Sequence, residues 1–182
     1  YEINISCPNV EAGGMEFGVD CDLTEQLTSR LRKLTDRLLI MKLSPNVTDI
    51  AAIGVAAEKG GADALSAINT LVGMSINTTN RKSNIYYGFG GLSGPAIKPV
   101  GLACVNKVYQ AVDIPLIGIG GIISAVDVLE YVLAGAVAVE VGTANYRDPN
   151  VGNSIIVELE NFLNKNGIGS VDELVGKVEL GS

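Results

Sequence analysis

The sequence predicts an α/β fold, a (β/α)8 barrel of which these 182 residues supply the last five or so βα units. Three observations predict it. Short apolar runs suited to buried strands alternate five times with helical stretches, without a tandem β-hairpin, and such alternation builds a parallel sheet with crossover helices. Polar or glycine residues stand at the C-terminal end of almost every strand: Asn4 and Cys7, Lys42, Asn69, Gly120-Gly121, and Gly142-Thr143. A barrel gathers its site from many strand ends, whereas a doubly wound sheet concentrates it at one switch point. Finally, 47% apolar and 18% charged residues are enough to build a real core.

Taken in order, Glu2 to Ser6 alternates as a strand and ends at Pro8, which has no N–H to extend a ladder. Gly13-Gly14 and Gly18 follow. A helix starts at Asp22, with Leu23, Leu27, Leu31 and Leu34 on one face. The run 38–43 is a buried strand closed by Ser44-Pro45. Thr48 or Asn46 caps the next helix, where Val47, Ile50 and Ala57 share a side and Gly60-Gly61 forms the end. The strand 64–68 finishes at Asn69-Thr70. Residues 71–98 read as one long glycine-rich loop, a length more often functional than idle. Pro99 opens a helix carrying Leu102, Val105, Val108 and Val112. The strand 114–119 leads into a helix from Ser124 to Ala134, and the strand 136–141 into a helix from Asn150 that stops at Gly167. Ser170 and Glu173 have the spacing of a capping box. Five units cannot close eight strands, so about three are expected upstream. The start at Tyr1, without methionine and almost at once in a strand, fits the same expectation: residues 1–182 read as the C-terminal portion of a single barrel domain.

Bulk properties exclude several functions. The net charge of −7 and the lack of a basic cluster beyond 30–33 argue against nucleic acid or an anionic membrane as partner. No apolar run approaches the ~18 residues of a membrane span, and the N-terminal residues do not read as a signal peptide. Three scattered cysteines offer neither a disulfide framework nor zinc-ligand spacing, which fits a reduced, cytoplasmic setting. With no histidine, Ser-His-Asp and His-metal mechanisms are ruled out.

The chemistry-bearing residues lie at the strand ends. Cys7, flanked by the carboxamides of Asn4 and Asn9, reads either as a small buried cysteine among turn formers or as a thiol that takes a proton from an amide-rich substrate. Gly120-Gly121 and Gly142-Thr143 end the last two strands, just before helices. They suit tight turns, and they equally suit phosphate binding through backbone N–H groups, with Thr143 adding a hydroxyl. Lys42, inside an apolar strand, either reaches the rim or places a cation beside a reduced flavin ring. Asn69 and Thr70 either form a turn or hydrogen-bond a substrate. Glu140 occupies a strand position suited to a neutral residue, facing a polar barrel interior or the outer helices.

Together, Asn4-Ile-Ser-Cys-Pro-Asn9, Lys42-Leu-Ser-Pro-Asn46, Ile68-Asn-Thr-Leu71, Gly91-Leu-Ser-Gly-Pro-Ala-Ile-Lys-Pro99, Gly120-Gly-Ile122 and Val141-Gly-Thr-Ala-Asn145 resemble dihydroorotate dehydrogenase, specifically the class 1B catalytic subunit. The loop 10–18 also looks like class 1B. The resemblance implies an FMN-containing barrel that oxidises dihydroorotate to orotate in pyrimidine biosynthesis. It implies Cys7 as catalytic base, and Asn4, Asn9, Asn69 and Thr70 as substrate ligands. It further implies that Asn4, Lys42, Ile68 and Gly94 contact the flavin, and that Gly120, Gly121, Gly142 and Thr143 hold its phosphate. Electrons would pass to NAD through a second subunit carrying FAD and a [2Fe–2S] cluster, in a heterotetramer whose catalytic subunits pair with each other. Two alternatives stand beside it: a dihydropyrimidine dehydrogenase-like flavoprotein, and an inactive barrel fragment that binds no flavin and serves as an assembly module.

Overall fold

In the computed structural model, which describes residues 1–6 and 17–181, the main sheet has five parallel strands. They are β1 (Glu2–Asn4), β2 (Ile40–Leu43), β3 (Ala64–Ala67), β8 (Leu116–Ile119) and β9 (Ala138–Glu140). The strands lie side by side in chain order. A doubly wound sheet reverses its order at a switch point; this one does not, so the five strands form an arc of a barrel. The helices are α1 (Cys21–Arg32), α2 (Ile50–Lys59), α3 (Lys98–Tyr109), α4 (Ala125–Ala134), α5 (Ala144–Arg147) and α6 (Val151–Asn166). Helices α1 to α4 pack each on the next, and α4 also packs on α6.

The strand register sorts the side chains. Ile3 pairs with Met41, Met41 with Leu65 and Leu65 with Leu116. Met41, Leu65 and Leu116 are buried with helical residues such as Ile53, Val105, Val108 and Val132 in the core between sheet and helices. The alternate positions face the other way. Asn4, Lys42, Ser66, Ile117 and Ala138 share one row, with Glu2 and Glu140 on the same face.

Local signals account for most element boundaries. Asp20 caps α1 by accepting from Leu23 N at 2.9 Å. Ser124 and Asp127 form a complete capping box on α4. Gly167 ends α6 in the left-handed conformation at φ 67°. Ser170 and Glu173 do form a capping box, and the element it opens is a 3-10 turn, Val171–Leu174.

Three sequence readings are corrected. Asp49, rather than Thr48 or Asn46, caps α2, accepting from Ala51 N and Ala52 N at 3.0 and 3.1 Å. Leu34 lies beyond the end of α1 and is 82% exposed, so the apolar face stops at Leu31. The passage 71–98 is not one loop. It folds into two antiparallel ribbons, β4 (Leu71–Gly73) with β7 (Gly90–Leu92) and β5 (Ile76–Asn77) with β6 (Lys82–Ser83). The inner turn forms because the Asn77 side chain accepts from Thr79 N and Asn80 N, while Arg81 adopts φ 58°. The expectation of no hairpin therefore fails here, although the βα alternation around it holds. Among the described residues, no helix is long and apolar enough to cross a membrane.

Asp127 ties three elements together. Its carboxylate accepts from Ile123 N, Ser124 N and Ser124 Oγ, each at 2.9 Å, and pairs with Lys98 Nζ of α3 at 2.6 Å. Burial pushes its pKa up, but the bonds from Lys98, Ile123 and Ser124 outweigh burial and hold it below the ordinary aspartate value. A carboxyl whose pKa is depressed on folding adds stability that is complete above its unfolded value and is lost as pH falls through the folded one. Asp127→Asn should therefore cost about 2 kcal/mol near neutral pH. The gap to the parent protein should shrink as pH falls below about 4, as chemical denaturation across pH can show. A gap independent of pH would contradict this role.

Candidate functional site

The C-terminal ends of β2, β3, β8 and β9 open on a pocket of about 160 Å³. That is less than the ~300–1,000 Å³ usual for a small-molecule site. It is lined by Lys42 from β2, the Ile68–Thr70 turn after β3, the Ser93–Pro95 turn after β7, the Ile119–Ile123 segment after β8, and Gly142–Ala144 after β9.

One side of the pocket rests on the polar inner face of the sheet. Ser66 is fully buried and its Oγ donates to Glu2 Oε1 at 2.5 Å. Glu140 lies on this same inner face, which settles its direction in favour of the barrel interior over the outer helices. Burial raises its pKa most, the Glu2 carboxylate raises it further, and the Lys42 cation pulls the other way. Lys42 thus stands on a face that holds two carboxyl groups.

A second side is a knot of carboxamides. Asn4 Oδ1 accepts from Ser6 N at 3.1 Å, Ser6 Oγ at 2.8 Å and Asn69 Nδ2 at 3.1 Å. Asn69 Nδ2 also donates to Ser6 Oγ at 2.5 Å, and Asn69 Oδ1 accepts from Thr70 N at 2.8 Å. The Asn46 side chain clamps the following turn, donating to Thr70 O at 2.9 Å and accepting from Val72 N at 3.0 Å. The β3 end thereby carries two-way hydrogen-bonding groups held in fixed directions.

The third side is made of glycine. Gly120 and Gly121 adopt φ 130° and 73°, values open to glycine and strained for other residues. A Cβ on Gly121 would lie 2.8 Å from Gly94 O, so the two loops touch backbone to backbone. A Cβ on Gly142 would meet nothing within 4 Å. Thr143 Oγ1 donates to Ser93 Oγ at 2.9 Å, linking the loop after β9 to the one after β7. The first turn of α4 is already supplied with carboxylates: Asp127 takes Ile123 N and Ser124 N, and Glu158 of α6 takes Ala125 N at 3.2 Å. Lys98 is likewise committed, to Asp127 and Glu130. An anion entering here meets the glycine segments and Arg147, which lines the pocket from α5.

Of the residues singled out by sequence, Lys42, Ile68, Asn69, Thr70, Gly94, Gly120, Gly121, Gly142 and Thr143 line this one pocket. Asn4 reaches it through Asn69. Cys7 and Asn9 lie outside the described residues. Sequence reasoning missed Ser93, Arg147 and Asn46. Arg147 falls four residues after Thr143, one helical turn, a spacing that was there to be read.

Residues 1–163 match the family model for dihydroorotate dehydrogenase. The chain is 54% identical to the dihydroorotate dehydrogenase B (NAD(+)) catalytic subunit of Desulforamulus reducens, over 98% of this chain and 59% of the relative. It is 51% identical to the protein of that name in Geotalea daltonii, with the same coverage. The chain thus spans about three-fifths of the length of these relatives. Among solved structures, the ferulenol complex of DHODH from Eimeria tenella matches with a TM-score of 0.77 at 29% identity, over 97% of this chain and 53% of that one. The ligand-free form matches with a TM-score of 0.76 at 30% identity, over 97% and 54%. The sheet order, the glycine-lined pocket and these matches converge: the chain belongs to the dihydroorotate dehydrogenase family.

Proposed function

We propose that this chain carries the flavin and substrate site of a class 1B dihydroorotate dehydrogenase catalytic subunit, which oxidises dihydroorotate to orotate in pyrimidine biosynthesis. One observation carries the reading. The same pocket joins a cation on the inner sheet face, a fixed carboxamide cluster and a glycine-lined anion end. These are the three recognition elements that a flavin phosphate, a flavin ring and a planar amide-rich substrate require. The described residues therefore fit FMN. When bound, FMN supplies the hydride acceptor.

The chain's own residues do the rest. Gly121, Gly142 and Thr143 direct backbone N–H groups at the phosphate, and Arg147 adds charge there. Gly94 lets the loop after β7 come close. Lys42 favours negative charge on the ring, and Ile68 closes against its apolar surface. Asn4, Asn9, Asn69 and Thr70 hold the ring amides of dihydroorotate and orient it. Cys7 takes the proton from C5 of the substrate. A free thiol titrates near ~8.5, so this role calls either for activation of the thiolate or for a higher pH optimum.

The relatives' name, a catalytic subunit of a B-type NAD(+) enzyme, supports a partner subunit that carries electrons onward to NAD, with FAD and a [2Fe–2S] cluster as its carriers. Residues 1–182 are read as part of one flavin-binding barrel domain, acting in the cytoplasm.

The test is an absorption spectrum before and after anaerobic substrate. A flavin spectrum that bleaches faster with dihydroorotate than with dihydrouracil is expected; faster reduction by dihydrouracil, or a colourless protein, would contradict the proposal. Cys7→Ser should retain FMN and reduce it at least about a hundredfold more slowly near neutral pH, in line with the loss of a general base. An unchanged stopped-flow rate would remove Cys7 from the mechanism. Gly121→Ala adds a methyl at a positive φ and against Gly94 O, and should weaken FMN binding about tenfold or more, read by fluorescence titration.

A further inference from the structure

We propose that the Tyr131 hydroxyl is a positioning group for the glycine loop after β8, setting how strongly the protein prefers FMN to riboflavin, which lacks the phosphate. The inference rests on the assignment of that loop to the flavin phosphate and goes beyond it, because Tyr131 lines no part of the pocket and touches the loop only from behind.

Tyr131 lies on the inner face of α4 and is fully buried. Its hydroxyl donates to Gly120 O at 2.8 Å, with Ile119 O at 3.2 Å as the weaker second acceptor. The two carbonyls are not equal. Ile119 O also accepts from Ile68 N at 3.0 Å, whereas Tyr131 is the partner of Gly120 O among the described residues. Burial pushes the phenol far above its ordinary range, so it remains a donor at any working pH.

Three glycines make room for this one side chain. A Cβ on Gly101 of α3 would lie 2.0 Å from the hydroxyl, one on Gly118 of β8 would lie 2.5 Å from the ring, and one on Gly120 would lie 3.1 Å from the hydroxyl. The hydroxyl therefore has a single place to be, and Gly120 O is where it points. One turn earlier on α4, Asp127 holds Ile123 N and Ser124 N. Helix α4 thus grips the loop at both ends and leaves Gly121 and Ile122 between the grips, facing the pocket. A peptide whose carbonyl is pinned has its following N–H pinned as well, since the unit is planar. Fixing Gly120 O therefore aims Gly121 N, the donor proposed for the phosphate.

The variant is Tyr131→Phe, which keeps the ring and removes the hydroxyl. The apoprotein is titrated with FMN and, separately, with riboflavin, following flavin fluorescence. The parent should bind FMN more tightly. In the variant the FMN dissociation constant should rise about three- to tenfold, the scale of one lost buried hydrogen bond, while that of riboflavin stays within about twofold. A purely structural role would weaken both flavins together and leave their ratio unchanged; that ratio would overturn the inference. If Tyr131→Phe does not fold, Gly101→Ala, which keeps the tyrosine but crowds its hydroxyl, should lower the ratio in the same direction, and an unchanged ratio there overturns the inference equally. A parent protein without preference for FMN would overturn the phosphate assignment itself, and this inference with it, so the two failures are distinguishable.

Discussion

The register shared by the five parallel strands is the constraint on which the rest of the site depends. Because side chains alternate along a strand, one register across four pairings assigns every second residue to the helices and the others to the interior. Met41, Leu65 and Leu116 thereby become core, and Asn4, Lys42, Ser66 and Glu140 become an inner polar face. A slip of one residue in β2 would bury Lys42 among helices and turn Met41 inward. Burial of several large side chains at about 1.5–3 kcal/mol each opposes such a slip, so the apolar face holds the polar one in place.

Glycine does the corresponding work at the rim. Loops after successive strands must approach each other to share one pocket, and side chains would keep them apart. Gly121 against Gly94 O and Gly91 against the Thr70 side chain are contacts that a Cβ would block. The cost is backbone freedom, and the structure offsets it with side-chain anchors: Asn46 on the turn after β3, Thr143 with Ser93 between two loops, and Asp127 with Tyr131 behind the loop after β8. The rim is therefore flexible in composition and fixed in geometry, as the proposed recognition of a phosphate by backbone direction requires.

Much of this was legible in sequence because it is local. Apolar runs ended by Asn69-Thr70 or Gly120-Gly121 announce buried strands that stop at the rim of the pocket, and Ser124 announces a helix start. The ribbons between β3 and α3 were not legible. Their strands are two or three residues long and include three glycines, so no period of two can emerge from them. Asn46 was misread as a helix cap because its residue type suits one. Its actual partners, Thr70 and Val72, lie 24 and 26 residues away. Tyr131 carries no signal in the sequence, since nothing there shows which carbonyl a buried hydroxyl will meet. The direction of Glu140 became clear only with the pairing of Ile119 to Glu140.

The central claim is that a flavin phosphate rests on the glycine loops after β8 and β9. A crystal structure of the protein grown with FMN tests it most directly. The account predicts phosphate oxygens within about 3 Å of the backbone nitrogens of Gly121, Gly142 or Thr143, with the ring extending toward Lys42. A phosphate bound elsewhere on the chain, or a ring that turns away from the inner sheet face, would contradict it.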